Sequence, residues 1–343
     1  MYASSQDPVE LRSGAPRTPR ATHGRVRRDL HRAQESLREH IFAALPDESD
    51  LASMNLRPSP TARPRAGSRP QLVLQDDRQR LYLFKLAPSE QISAELLASR
   101  LRSLGNRLHV PAARRVLDYP GAPGAVGMVQ PLLDVAGALP KDPRQWTALQ
   151  CEAMLLDHPW EWLLANLDTH VDQFVLVGEH GLPVNIDWDH SLVDLATLTL
   201  TRFNRRSLTV MPIRNLLYAE YIAGRVRLDF YGMQLQAHTI AEIPFSEIEA
   251  LLHRRADELG EPAKERQRVI EAIRSRHRRI ARDFDALIEQ LRAERYRGSG
   301  APGDSWQRIA AYTQDAWQRF SMRVLHDHVV RPVLWLHRRV LER

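Results

Sequence analysis

Cysteine is almost absent from this 343-residue sequence, and long apolar runs are missing altogether. The single Cys151 cannot form a disulfide within the chain, so nothing favours an oxidising compartment. No stretch of about 18 consecutive apolar residues occurs, which argues against a membrane-spanning helix. The first twenty residues are rich in Ser, Pro and Arg and contain no apolar core, so they are not a secretory signal peptide. We therefore expect a cytoplasmic protein or, alternatively, a secreted effector whose export needs no cleaved signal.

Lysine is also scarce, because only three of the 48 basic residues are lysines. Lys141 lies in the loop-like LPKDP, and Lys264 lies in a charged helical segment. Lys85 differs from both, since it is embedded in the apolar run LYLFKLA, which predicts a strand. A lysine in such a context is a candidate for chemistry that arginine cannot perform.

The positive charge lies in the two flanks of the chain. Residues 1–70 contain 12 basic and 8 acidic residues, and residues 251–343 contain 20 and 13. The centre, residues 71–250, contains 16 and 21. Basic flanks of this kind predict contact with an acidic protein partner or an anionic membrane, and they leave nucleic acid open as a partner. A solvated helical surface explains the same pattern equally well.

The composition divides the chain into a leader and an ordered part. Residues 1–64 read as a mostly disordered basic leader with one helix at about 25–45, and the Pro- and Arg-rich stretch 46–70 reads as a linker. The ordered part begins with two strands, one helix after Ser89 and two further strands, within a first lobe at 65–138. A largely helical lobe follows at 139–260, interrupted by the hairpin QFVLV–GEHGLP–VNIDW. The region 261–343 is a helical extension that ends in an amphipathic segment, 304–343.

Three carboxylates bracket this predicted hairpin. Asp168 precedes it, and Asp187 and Asp189 follow it. Because a hairpin brings its two ends together, the three groups should be neighbours, and they would repel one another without a cation. Oxygen ligands of this type favour Mg²⁺ or Mn²⁺. A strand lysine and a helical glutamate upstream complete a set that phosphoryl transfer requires.

With these motifs in order, the sequence resembles the protein-kinase-like fold, in particular its atypical branch of phosphatidylinositol 3-/4-kinase-like and HipA-like kinases. In that branch, N-x-D-x-H-x-x-N precedes a hairpin that ends in I-D-F-G. Here the loop reads NLDTHVDQ, from Asn166 to Gln173, and the second motif reads IDWDH, from Ile186 to His190. IDWDHSLVDLA is also similar to aminoglycoside-type phosphotransferases. The resemblance covers residues 65–260 and implies an α+β fold with a small β-rich lobe, a helical lobe and extra C-terminal helices.

The resemblance also implies an ATP- and Mg²⁺-dependent phosphotransferase (Mn²⁺ being the alternative ion) with a role for each matching residue. Its acceptor would be a hydroxyl on a protein, a lipid or a small molecule. The implied nucleotide-binding residues are Lys85, its helical partner Glu95, Gln130 in the hinge-like VGMVQPLL, and Ser68. The implied metal ligands are Asp187, Gln173 and Asp189, while Asp168 would engage the acceptor hydroxyl and His170 the transferred phosphate.

Two positions depart from the family pattern. Gln173 stands where the family has a metal-binding Asn, and Asp189 stands where it has a Gly. Asp189 would either add a metal ligand or replace Asp187 in that role. Either departure is also compatible with a catalytically weak kinase-fold adaptor. A third alternative keeps the fold and ATP but transfers the nucleotidyl group.

Overall fold

The computed structural model describes residues 19–37, 45–60, 71–105, 107–119, 122–166, 169–192, 198 and 211–298. Three predictions therefore fall outside the described residues: the roles of Ser68 and Asp168, and the amphipathic segment 304–343. Within the described part, none of the helices is long and apolar enough to cross a membrane.

An antiparallel sheet of five strands forms the first lobe, in the order β1-β2-β3-β5-β4. The strands are β1 Arg57–Pro58, β2 Gln71–Gln75, β3 Leu81–Leu86, β4 Ala113–Tyr119 and β5 Ala122–Pro131. The β2–β3 turn is fixed by Asp76, whose carboxylate accepts the backbone N–H groups of Arg78 and Arg80. Lys85 on β3 pairs with Met128 on β5, so the predicted strand lysine is confirmed as a residue of the central strand.

The stretch predicted to be a linker contributes to this lobe. Helix α2, Glu48–Ser53, and strand β1 both lie within it, and Arg57 pairs with Gln75 of β2. The Asp47 carboxylate caps α2 by accepting the N–H of Asp50, and Leu51 is fully buried in the core of the sheet. The linker prediction is thus wrong for residues 48–58, because two apolar side chains, Leu51 and Leu56, outweigh the Pro- and Arg-rich composition.

Helix α3, Ser89–Leu104, packs on the sheet through the apolar face that its periodicity predicts. The helix ends at Gly105 as expected, but Pro88 occupies the N-cap position that we assigned to Ser89. A Cβ at Gly105 would lie 2.2 Å from the ring of Trp160, so this close approach admits only glycine. The contact ties the end of α3 to the helical lobe.

The helical lobe begins with helix α4, Ala148–Leu163, which a capping box at Thr147 and Gln150 opens. The expected interruption at His158-Pro159 does not occur, and α4 continues through Pro159. A small sheet in the order β6-β7-β8 follows, made of Val135–Ala138, Phe174–Val177 and Leu182–Asn185. Its hairpin was predicted, but β8 begins two residues earlier, because Gly178 and Gly181 take the left-handed conformation and close a shorter turn.

Five further helices complete the described chain, and a separate helix, α1 Pro19–Leu37, precedes the first lobe. They are α5 Pro212–Ile222, α6 Tyr231–Glu242, α7 Phe245–Leu259, α8 Ala263–His277 and α9 Ile280–Gly298. Gly260 ends α7 in the left-handed conformation, at the break that the sequence predicts. The predicted α+β class, with a β-rich lobe, a helical lobe and extra C-terminal helices, is confirmed.

Candidate functional site

Lys85 reaches from the first lobe to the segment after the β7–β8 hairpin. Its Nζ lies 3.7 Å from Oδ1 of Asp187 and donates to the carbonyl oxygen of Ile186 at 3.1 Å. The Lys85 residue is 9% exposed, whereas the Asp187 side chain is 36% exposed. A buried cation and a half-exposed carboxylate therefore meet where the two lobes meet.

Glu95 lies on α3 behind this pair and does not contact Lys85 directly. Its Oε2 accepts the backbone N–H of Trp188 at 2.6 Å. Burial raises the pKa of the Glu95 carboxyl to about 8; Lys85 opposes the shift, and Asp187 and Asp189 add to it. The expected Lys85–Glu95 ion pair is thus replaced, because Lys85 pairs with Asp187 while Glu95 holds the backbone of the same segment.

The two aspartates of IDWDH have different surroundings. Asn185 accepts the Asp187 N–H through Oδ1 at 3.0 Å, which turns the chain at the end of β8. Asp187 faces Lys85, whereas Asp189 is 4% exposed, with Oδ1 3.7 Å from Nε2 of His190. Trp188 between them is buried. The structure therefore gives Asp187 the more accessible carboxylate.

The loop before the hairpin carries several buried amide and hydroxyl groups. Gln173 is buried, and its Oε1 has no hydrogen-bond partner among the described residues. Both side-chain polar atoms of Asn166 and the hydroxyl of Thr169 also have no hydrogen-bond partner among the described residues. Because an unsatisfied buried polar atom is costly, we take this loop, whose residues 167–168 lie outside the described ranges, as a candidate place for ligand contact.

The hydrogen-bond ladder of the hairpin places Gln173 next to the IDWDH segment. Ile186 donates its N–H to the Gln173 carbonyl at 3.0 Å, directly beyond the Phe174–Asn185 pair. The loop is also anchored to the helical lobe, since Ile213 donates to the Thr169 carbonyl. His170 is partly exposed, with Nδ1 3.7 Å from an oxygen of Asp172.

Gln130 lies on the face of the sheet that carries Lys85. Directly paired residues of antiparallel strands share a face, and residues two apart on one strand share it as well. Met128 pairs with Lys85 and Gln130 pairs with Leu83, so both pairs project to this face. Gln130 is 3% exposed, and its Oε1 has no partner among the described residues. It is a buried acceptor near the strand lysine.

The oxygen ligands offered by the protein fit a Mg²⁺ ion that is held partly by side chains and partly by phosphates and water. Within the described ranges, no group of three or more His, Cys, Asp or Glu side chains is arranged to hold a metal ion. Asp187 and the unpaired oxygen of Gln173 nevertheless offer two hard oxygen ligands. Mg²⁺ commonly takes one or two protein oxygens and completes its shell with phosphates and water. These residues fit that mode.

Sequence reasoning missed the support behind these residues. Asn185 turns the chain at Asp187, and the guanidinium of Arg102 on α3 lies 4.6 Å from the ring centre of Trp188. The usable signal was spacing, because Arg102 follows Glu95 by seven residues and thus shares its helical face.

No family model matches the chain, and no curated protein sequence matches it. Solved structures are similar in shape. CtkA, a proinflammatory kinase of Helicobacter pylori, is 10% identical; the match covers 70% of this chain and 98% of that one at a TM-score of 0.46. The Golgi casein kinase is 12% identical, with coverages of 87% and 95% and a TM-score of 0.43. The same kinase with Mn/ADP bound is also 12% identical, with coverages of 71% and 74% and a score of 0.41.

An aminoglycoside phosphotransferase from Alicyclobacillus acidocaldarius is 12% identical, with coverages of 84% and 100% and a TM-score of 0.33. At these identities and scores the likeness is one of shape alone. The names of these proteins do not identify the phosphatidylinositol 3-/4-kinase-like or HipA-like branch, so that finer branch stays a prediction.

Proposed function

We propose that the protein is an ATP- and Mg²⁺-dependent phosphotransferase that moves the γ-phosphate to a hydroxyl acceptor. One observation carries the proposal: Nζ of Lys85 on the sheet lies 3.7 Å from Oδ1 of Asp187, in the segment after the β7–β8 hairpin. A fixed cation for phosphate oxygens and a carboxylate for a metal are the two charges that phosphoryl transfer needs at one point.

In this proposal, each residue has one task. Lys85 would bind the α- and β-phosphates, and Asp187 with Gln173 would hold Mg²⁺, which would supply positive charge to neutralise the phosphates. Glu95 fixes the Trp188 backbone, and buried Asp189 supports the same turn. The acceptor oxygen forms a bond to the γ-phosphorus while the bond to the bridging β–γ oxygen breaks. The acceptor proton passes to Asp168, His170 faces the transferred group, and ADP leaves.

Gln130 supports a nucleotide rather than a simple phosphate donor. Its unpaired, buried Oε1 lies on the Lys85 face of the sheet, within roughly 7–8 Å of that strand position by the diagonal spacing of paired strands. A base bearing an amino group would supply the missing donor while its phosphates reach Lys85. The proposal therefore places the adenine end of ATP beside Gln130.

The decisive experiment compares γ-labelled with α-labelled ATP in the presence of Mg²⁺ and candidate acceptors. Transfer of the γ-label supports the proposal, and transfer of the α-label would show nucleotidyl transfer instead. Binding of Mg·ATP in a thermal-shift assay without transfer to any acceptor would favour the adaptor function. An acidic protein, an anionic membrane and a nucleic acid are included as ligands of the basic flanks.

Substitution of Lys85 sharpens this test. Lys85→Ala should reduce label transfer by at least about 100-fold without unfolding the protein, because the lysine contacts phosphate in this proposal. Lys85→Arg should not rescue transfer, since the longer planar head cannot act as a point charge. Lys264→Ala, at an exposed position on α8, is the matched control and should transfer label normally. Full transfer by the Lys85 variants would contradict the assignment.

A further inference from the structure

Arg102, in the last turn of α3, is buried at the boundary between the two lobes. It is 2% exposed, and its guanidinium donates to Oδ1 of Asp157 on α4 at 3.0 Å. Arg107 donates to the same oxygen at 2.9 Å. Two guanidinium groups therefore share one carboxylate, which leaves about one positive charge of this cluster without an anionic partner of its own.

The ring of Trp188 faces that surplus charge. The Arg102 guanidinium carbon lies 4.6 Å from the centre of the indole ring, within the range of a cation–π contact. Such contacts are strongest for tryptophan and strengthen when water is excluded, and here both residues are buried. The contact therefore restricts where the indole ring can lie.

Trp188 is thus held at two points by one helix. Its backbone N–H is bound by Glu95, and its ring is bound by Arg102, seven residues later on α3. Seven residues are about two helical turns, roughly 10 Å along the axis, so the two contacts share one face. Because Asp187 and Asp189 flank Trp188, a residue held at both backbone and ring restrains the backbone from which both carboxylates project.

We propose that Arg102 is a positioning residue: through the ring of Trp188 it holds the Asp187 carboxylate in the geometry that receives the metal. This inference rests on the proposed function. The competing explanation is that Arg102 only joins α3 to α4 through Asp157, and that the indole ring is ordinary apolar packing.

Two substitutions of Trp188 separate these explanations, because they differ in the aromatic face. Trp188→Phe keeps a ring for Arg102, whereas Trp188→Leu keeps an apolar side chain without one. We expect Trp188→Leu to raise the Mg²⁺ concentration that half-saturates ADP binding at least 10-fold, whereas its affinity for metal-free ADP should not fall. Trp188→Phe should stay within about threefold of the wild type. The matched control is Phe245→Leu, which removes a 4.8 Å contact with Arg274 far from the site.

A second measurement needs neither nucleotide nor metal. Amide hydrogen exchange should accelerate at residues 186–189 in Trp188→Leu while α4 and α9 keep their wild-type protection. If Trp188→Leu does not fold, Arg102→Met takes its place, because Arg107 continues to bind Asp157. Arg102→Met should raise the Mg²⁺ concentration that half-saturates ADP binding, as Trp188→Leu does. It should also accelerate amide exchange at residues 186–189.

The outcomes distinguish this inference from the proposed function. Wild-type protein that binds no Mg·nucleotide refutes the proposed function and, with it, the inference. Wild-type protein that binds normally, together with equal effects of Trp188→Leu and Trp188→Phe, refutes the inference alone. A loss of thermal stability with unchanged Mg²⁺ dependence in Trp188→Leu or Arg102→Met also refutes it, since that result shows a purely structural contact.

Discussion

At the scale of single residues, the site consists of charges whose partners are already assigned. Lys85 forms an ion pair with Asp187, and Glu95 accepts the backbone N–H of Trp188. The buried side-chain oxygens of Gln130 and Gln173 have no hydrogen-bond partner among the described residues. The charged groups hold one another in place, and the amide oxygens of Gln130 and Gln173 can accept hydrogen bonds from a ligand.

The roles of Asp187 and Asp189 can be tested by the same neutral substitution at each position. Asp187→Asn should abolish Mg²⁺-dependent nucleotide binding, because Asp187 is the partly exposed carboxylate that faces Lys85. Asp189→Asn should weaken it much less, since that residue is 4% exposed. Mg²⁺ titrations of nucleotide binding measure both. Loss of metal dependence in Asp189→Asn alone would exchange the two roles.

Glu152 on α4 predicts a pH dependence of stability. Burial and, to a smaller extent, the Asp229 carboxylate raise the pKa of its carboxyl from 4.5 to about 8, and Arg27 opposes the shift. The folded state then binds the proton more tightly than the unfolded state, so stability falls as pH rises from about 4.5 to 8. Glu152→Gln should therefore be more stable than the wild type by about 2–4 kcal/mol at pH 8 and equal to it near pH 4.

Urea denaturation at several pH values measures this difference. Glu242→Gln removes an exposed carboxylate and serves as the control, with the same small change expected at every pH. A constant difference between Glu152→Gln and the wild type across the pH range would contradict the prediction.

At the scale of elements, helix α3 is held from outside as well as from the sheet. Glu48 on α2 binds Arg100 and Arg254, and Glu258 binds the same two arginines, which closes a ring across α2, α3 and α7. Arg100 is the inner member, with a side chain 9% exposed, while Arg254 is 56% exposed. The ring lies on the helix that carries Glu95, so it helps to fix the site from a distance.

The difference in burial predicts that Arg100 contributes more than Arg254 to the free energy of unfolding. Arg100→Ala should lower the free energy of unfolding by about 2–4 kcal/mol, because it leaves two carboxylates without their inner partner. Arg254→Ala should cost less than about 1 kcal/mol, as exposed ion pairs generally do. Urea denaturation of the two variants gives the comparison directly. Equal losses of stability in the two variants would show that these four ion-paired residues act as an exposed network and do not hold α3 in place.

The sequence predicted those helices and strands whose formation depends on their own residues. Strands β2 and β3 and helix α3 have their apolar periodicity in their own residues, and their bounds match to within one or two positions. Strand β1 has only two residues, and it exists because β2 offers a partner. The Lys85–Asp187 contact depends on how two lobes pack, and no spacing along the chain encodes its distance.

At the scale of the whole molecule, helix α1 covers apolar surface of the helical lobe. Leu30, Ala33 and Leu37 are buried in one apolar cluster with Ala153 of α4 and with Val177 and Leu182 of the hairpin. Arg27 fixes the helix by donating to Asp229 at 2.8 Å, and its guanidinium lies over Tyr231. The leader predicted to be mostly disordered therefore contains a packed element, whose apolar face has a partner only in the folded lobe.

Removal of this apolar contact should expose the hairpin. Leu30→Asp combined with Leu37→Asp should detach α1, because two carboxylates cannot remain buried without partners. We expect stronger binding of a hydrophobic dye and faster aggregation, with Mg·nucleotide binding retained. Arg28→Asp, at an exposed position of the same helix, controls for the change of charge. Dye binding at the wild-type level would mean that the contact contributes little.

The contact between Lys85 and Asp187 has a thermodynamic consequence. Under the proposed function, a nucleotide that enters alone would draw Lys85 away from Asp187, and a metal ion that enters alone would draw Asp187 away from Lys85. Each event on its own would break this ion pair, whereas joint entry would give Lys85 the phosphate oxygens and Asp187 the metal. Nucleotide and metal are then coupled ligands: each raises the affinity of the other by the same factor, as reciprocity requires. The Lys85–Asp187 ion pair would thereby favour binding of the complete metal–nucleotide complex over binding of either component alone.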